Sequence, residues 1–315
     1  MNTSQCLLFV AVVGVISLNA CSEDSPSSPA PTPIKTPSYI TQWGSGGVAD
    51  GQMQAPVALA IHAGYVYVAE LINCRIQKFD TSGSFVTKWG SQGSGEGEFE
   101  ILSAIACDTD GNVYAADTGN HRVQKFDSNG EFLIAWGDSG EADGQFAHPV
   151  GIACDTSGNV FVVESYNRRV QKFRGDGTYV TKWYDGGFCG GNLNYPRGLA
   201  ADASGYLYVA NFGNRNIHKY DFDGAFVLKW SDAGDGSGEL FNLRNLGCDA
   251  NGSVYVVAEF DHLIRKFDGE GQFLYKWGSL GDGAGRFKNP RAVACDGNGY
   301  IYVADTGNNR IQKFR

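Results

Sequence analysis

Several things are scarce in this sequence. It has two methionines, five histidines and fewer basic than acidic residues, 25 against 34, for a net charge of −9. An acidic balance excludes the basic surface that a nucleic-acid partner requires to neutralise its phosphates. The longest apolar run, Leu7 to Leu18, covers twelve residues and is too short to span a bilayer as a helix. No stretch carries the helical repeat of apolar residues. Eight cysteines spread over 315 residues do not make the disulfide scaffold of a small secreted domain. What is present is 43% apolar and 19% charged residues, a globular composition, and 43 glycines without a G-X-Y period. That glycine excess excludes collagen and points to many tight turns.

Residues 1–38 read apart from the rest. The apolar run fits the central region of a secretory signal over residues 1–20. It ends in Leu18-Asn19-Ala20-Cys21, which resembles the lipobox of bacterial lipoproteins. The resemblance implies cleavage before Cys21, lipidation of its thiol and, with Ser22 following, sorting to the outer membrane. An ordinary cleaved signal is the alternative. Residues 21–38 hold five of the nine prolines and almost no apolar side chains, so they form an extended tether.

From residue 39 onward one period governs the chain. Trp43, Trp89, Trp136, Trp183, Trp230 and Trp277 recur at 46 or 47 residues. Pro56, Pro149, Pro196 and Pro290 each follow a tryptophan by thirteen residues, and Cys107, Cys154, Cys248 and Cys295 by eighteen. A fixed period of this length means an array, a propeller or a solenoid. Within a repeat there are four short strands. In the third they are Val150–Cys154, Asn159–Val163, Arg169–Phe173 and Thr178–Trp183, with turns at Thr156-Ser-Gly-Asn159 and Gly175-Asp-Gly177. Four-stranded antiparallel units of this size are propeller blades. The sequence after the last tryptophan supplies only three strands, so Tyr39–Trp43 is expected to complete that blade and close a six-bladed, all-β ring.

The stretches Ala116–Phe126 and Ala304–Phe314 resemble the NHL repeat, and Asn120-His121-Arg122 and Asp261-His262-Leu263 occupy the motif that names it. The resemblance spans residues 39–315. It implies a propeller of the kind used as binding modules by TRIM-type ubiquitin ligases and a bacterial receptor kinase, and related to an amidating lyase and lactonase-like enzymes. The lyases place zinc-binding histidines directly after the proline position, where this chain has none. With no RING cysteine pattern and an acidic charge, ligase and RNA-binding roles are not expected.

Aligning the repeats internally exposes two systems on the face of the longer inter-blade loops. One pairs an acid with a base: Glu70 with Arg75, Asp117 with Arg122, Glu164 with Arg169, and Asp305 with Arg310. Both partners are lost together in the fourth repeat, as Asn211 and Asn216, and in the fifth, as Ala258 and Leu263. Joint loss is the mark of a structural ion pair, because stranding one charge costs more than removing both. The other is the residue after the proline position: Val57, Ser103, Val150, Arg197, Arg244 and Arg291. Three arginines on consecutive blades suit a carboxylate or phosphate ligand, or simply neighbouring carboxylates such as Asp185, Asp235 and Asp282. Tyr166, Tyr184, Phe188, Tyr195, Phe212 and Phe260 cluster in the same sector and suit protein contacts.

Other signals read as structure. The in-register cysteines act as small hydrophobes, and Cys74 and Cys189 belong to separate blades. Asp108-Thr-Asp-Gly-Asn112 opens like a calcium loop but has Gly119 where the closing acid belongs. The lysines Lys78, Lys125, Lys172, Lys219, Lys266 and Lys313 are expected as solvated edge charges. The resulting expectation is a monomeric, envelope-anchored binding module without metal or cofactor. Its bound partner would be a protein or an anionic ligand, held by Arg197, Arg244, Arg291, Phe212 and Phe260. A hydrolase or lyase with its site at the same channel mouth is the alternative.

Overall fold

The computed structural model describes residues 36–184, 192–231 and 240–315. Within them lie six four-stranded antiparallel sheets. Blades 1 to 5 span residues 56–89, 102–136, 149–183, 196–230 and 243–277. Blade 6 combines Ala292–Cys295, Ile301–Asp305 and Arg310–Phe314 with Tyr39–Trp43 as its outermost strand. The closure is antiparallel, with Trp43 opposite Ile311 and Thr41 opposite Lys313. Ser38 N–H donates to Arg315 O at 2.7 Å, and Arg315 N–H returns the bond at 3.0 Å. Each innermost strand contacts those of both neighbours, and Pro56–His62 meets Ala292–Cys295 to complete the circle. In blade 3 the strands are Pro149–Cys154, Asn159–Glu164, Arg169–Arg174 and Tyr179–Trp183, within one residue of the sequence reading.

Burial explains the strand compositions. The second strand of a blade is enclosed on both faces by neighbouring sheets, so Val160-Phe161-Val162-Val163 is buried throughout and does not alternate. The outermost strand faces solvent on one side, and Phe132–Trp136 alternates accordingly. The strict tryptophan period also has a packing cause. Each of Trp43, Trp89, Trp136, Trp183 and Trp230 lies over a turn glycine of the next blade. At Gly130, with φ of +95°, an added Cβ would sit 2.5 Å from the Trp89 ring. Glycine is required there both for the left-handed backbone and for the space.

The recurring lysines are not solvated edge charges. Lys78, Lys172, Lys219 and Lys313 are buried. Their Nζ atoms, and that of the half-buried Lys125, donate to turn carbonyls of the next blade: Lys78 to Ser128, Lys125 to Gly175, Lys172 to Phe222, Lys219 to Gly269, and Lys313 to Thr81 across the closure. Tyrosine faces flank the ammonium, with Lys78 Nζ 4.2 Å from the Tyr65 ring centre. The third strand faces the adjacent blade, so its long side chain becomes an inter-blade staple whose charge is covered by carbonyl dipoles and π faces. Lys266 instead pairs with Asp249 of its own blade at 3.0 Å.

Candidate functional site

Six side chains meet at one place, five of them redirected by a bulge. In blades 1 to 5 the pairing of the first two strands shifts at the post-proline residue: Pro196 opposes Asn211, but Gly198 opposes Ala210. The same shift brackets Val57, Ser103 and Val150, and in blade 5 it spans Arg244 and Asn245. The extra residue leaves the ladder, and its side chain is redirected, as bulges do. Val57, Ser103, Val150, Arg197 and Arg244 thereby join Arg291, which enters from just before the first strand of blade 6, in lining one cavity of about 470 Å³ at the mouth of the channel. Blades 1 to 3 give it an uncharged wall, with Leu71, Ile101 and Leu102 beside the two valines and Ser103, His148 and Ser165 among them; blades 4 to 6 give it the arginines.

The three arginines are not equivalent. Arg291 Nε donates to Glu259 Oε1 at 2.6 Å, and Arg244 Nε lies 3.8 Å from Glu259 Oε2. Glu259 is only 4% exposed at its side chain, against 30% for Arg244 and 25% for Arg291. No described carboxylate reaches Arg197, whose guanidinium instead lies 3.8 Å from the ring centre of Phe212. Burial lowers the Arg197 pKa, and the nearby Arg291 charge adds to the effect while Glu259 opposes it. Burial likewise lowers Arg244 to about 10, which leaves it cationic at neutral pH. Three guanidinium charges against one carboxylate leave two positive charges uncompensated among the described residues. Close approach of the strands supports this sector. A Cβ on Gly151 would meet Arg197 O at 2.9 Å, and one on Gly198 would meet Arg244 O at 3.0 Å.

Glu259 was not singled out by the repeat comparison. It stands one residue past the acid position, beside Ala258, where the other blades carry Leu71, Thr118, Ser165, Phe212 and Thr306. That shift by one turns a carboxylate from the loop pair toward the channel. Of the carboxylates weighed as partners for the arginines, Asp282 supplies only its backbone carbonyl, to Arg310, and Asp185 and Asp235 lie outside the described residues.

The aromatic residues divide. Phe212, Tyr166 and Tyr195 line the cavity. Tyr166 stacks on His148 at 4.5 Å between ring centres, and Arg168 lies 5.3 Å from the centre of Tyr195. Burial lowers the His148 pKa, with His121 and Arg197 adding to it. Phe260 is 58% exposed and is not part of the cavity wall. Tyr184 is exposed beside Lys182, and Phe188 and Cys189 lie outside the described residues, as do Cys21 and residues 1–35.

Around the mouth, the acid–arginine pairs secure the loops. Arg75, Arg122, Arg169 and Arg310 donate from Nε to Glu70, Asp117, Glu164 and Asp305 at 2.6, 2.9, 2.5 and 2.7 Å. Their terminal nitrogens hold loop carbonyls, as Arg169 holds Glu141, Ala142 and Gln145. The histidines of the repeat motif are loop clamps too. His121 Nδ1 accepts from His148 N–H at 3.4 Å, and His262 Nδ1 from Asn289 N–H at 3.0 Å. Asn309 Oδ1 accepts from Ala55 N–H in the equivalent place. All three clamping residues have φ between +53° and +58°, a strained region for non-glycine residues that the surrounding bonds sustain. At the other end of the ring, Asp108 Oδ1 accepts from the N–H groups of Asp110 and Asn112 and forms a plain turn. Cys107, Cys154, Cys248 and Cys295 line the channel interior, and burial raises their thiols. Among the described residues, no three His, Cys, Asp or Glu side chains gather as a metal site, and no helix is long and apolar enough to cross a membrane.

The NHL repeat family model matches residues 102–126, 146–173 and 287–314, in blades 2, 3 and 6. No curated protein matches the chain significantly. Among solved structures, a protein of unknown function from Bacteroides thetaiotaomicron is 19% identical, with a TM-score of 0.66 over 88% of this chain and 75% of that one. A gluconolactonase from Xanthomonas campestris is 14% identical, with a TM-score of 0.62 over 83% and 87%. A streptogramin B lyase is 11% identical, with a TM-score of 0.60 over 88% and 97%. At these identities the likeness is one of fold. The chain is a six-bladed β-propeller with NHL repeat matches in blades 2, 3 and 6.

Proposed function

We propose that this propeller is a binding module that captures a small anionic ligand at its channel mouth. The observation that carries this reading is Arg197: a guanidinium at the wall of a 470 Å³ cavity, stacked on Phe212 and without a carboxylate among the described residues. A partly buried cation with no counter-ion has already lost much of its hydration, so an incoming oxyanion recovers energy that water no longer supplies. The volume falls within the range of small-molecule sites, about 300–1,000 Å³. In this reading the chain is held at a bacterial envelope through Cys21 and the tether. Mass spectrometry of the mature N-terminus tests that part; an unmodified, freely secreted chain would remove it.

The direct test titrates the full-length protein with carboxylates and organic phosphates at low salt, beside Arg197→Gln. Wild type should bind at least one class, and the variant about 10-fold or more weakly, the value of a charge-assisted hydrogen bond. Its melting temperature should be unchanged. Undiminished binding together with a lower melting temperature would make Arg197 a structural residue.

One observation favours a second reading. His148 lines the mouth with its ring stacked on Tyr166, and two neighbours of the same fold are a lyase and a gluconolactonase. Turnover of a lactone panel that disappears in His148→Ala would establish a catalytic site there.

A further inference from the structure

The cavity wall carries more information than its charge. Blade order places Val57 opposite Arg197, Ser103 opposite Arg244 and Val150 opposite Arg291 around the ring. The wall is thus uneven: the guanidinium groups lie on blades 4 to 6, while blades 1 to 3 set the aliphatic Val57, Leu71, Ile101 and Val150 among the uncharged polar groups of Ser103, His148 and Ser165. Ile101 is 40% exposed although it faces a concave surface, and it occupies the place held by His148 and Tyr195 in blades 3 and 4. A purely ionic site for inorganic anions would not be expected to set aliphatic side chains across from its cations, because such surface is costly to hydrate. Glu259 limits the charge. It occupies Arg291 fully and Arg244 loosely, so the free valence is Arg197 with part of Arg244.

We infer that the ligand is amphipathic: one oxyanion head, carboxylate or phosphate monoester, set against Arg197 and Arg244, with an aliphatic or aromatic body lying on Val57, Leu71 and Ile101. This rests on the anion-binding reading above and names its ligand class. A single oxyanion takes both guanidinium groups, and a second anionic group on the same ligand would face Glu259. The body gains by leaving water, at about 25 cal/mol per Å² of apolar surface removed.

The test measures calorimetric affinities of the full-length protein for five probes: acetate, octanoate, octyl phosphate, inorganic phosphate and octanamide. Octanoate or octyl phosphate should bind at least about 10-fold more tightly than acetate or inorganic phosphate, as the extra methylenes demand. Whichever of the two long probes binds better identifies the head. Octanamide, of the same length but uncharged, should bind at least about 10-fold more weakly. Ile101→Asn, a neutral polar change at a half-exposed position, should reduce octanoate's advantage over acetate. If acetate equals octanoate, the amphipathic class is wrong and the anion site stands. If octanamide equals octanoate, the anion reading itself falls. If no probe binds, both fall.

Discussion

Blades 3 and 4 are neighbours built on one plan, yet the first secures its loop with charge and the second with amides. In blade 3, Glu164 accepts from Ala147 N–H and Arg169 Nε, and Arg169 holds three loop carbonyls. In blade 4, Asn211 Oδ1 accepts from Asn194 N–H at 2.6 Å, while Asn211 and Asn214 both donate to Asn192 O. The same loop positions are tied in both cases. What differs is where the ionic charge resides. Blade 3 buries its pair beneath the loop and shows Val150 to the channel, whereas blade 4 has a neutral loop anchor and shows Arg197. Structural charge here is paired and buried; the charge facing the cavity is incompletely compensated. That distinction separates the frame of the molecule from its site.

The sharpest way to break the comparison is Arg169→Ala. It strands the Glu164 carboxylate in a buried place, and equilibrium unfolding should register a loss of about 3–5 kcal/mol. Transplanting blade 4's solution as Glu164→Asn with Arg169→Asn should cost clearly less than the single change. Equal costs would mean that the two anchors are not alternatives. A smaller effect is expected from Lys172→Met, which leaves Phe222 O without its donor: about 1–3 kcal/mol in the same measurement. Lys88→Met, whose partner Asp50 is exposed, is the control and should lie within about 0.5 kcal/mol of wild type.

The smallest effect concerns His148. Its pKa is depressed in the folded protein, so the unfolded chain takes up the proton first as pH falls. Stability is therefore complete above the unfolded value of about 6.5 and declines as pH drops below it. Melting temperatures across that window should show the decline, and His148→Gln should flatten it. An unchanged slope in the variant would assign the decline to other groups.

Much of the fold was legible because each repeat repeats its own packing problem. Five of the six tryptophans on outermost strands meet a turn glycine on the next blade, so the period in the sequence is the period in the contacts. The arginine positions were legible for the same reason. The lysines were misread because their surroundings lie on another blade: Lys172 finds its acceptor fifty residues away, and no local pattern reveals that. Glu259 escaped notice because its role depends on a displacement of one position and on a partner 32 residues further on.

By itself, the sequence determined the blade count, the closure by Tyr39–Trp43 and the register of every repeat, since all follow from local periodicity and turn chemistry. Only the tertiary structure decided which arginines are neutralised. That outcome depends on bulges that turn side chains out of the ladder, on a carboxylate reaching across a blade boundary, and on the distances between them. Electrostatic interaction is set by separation and burial in space, and neither can be read along the chain.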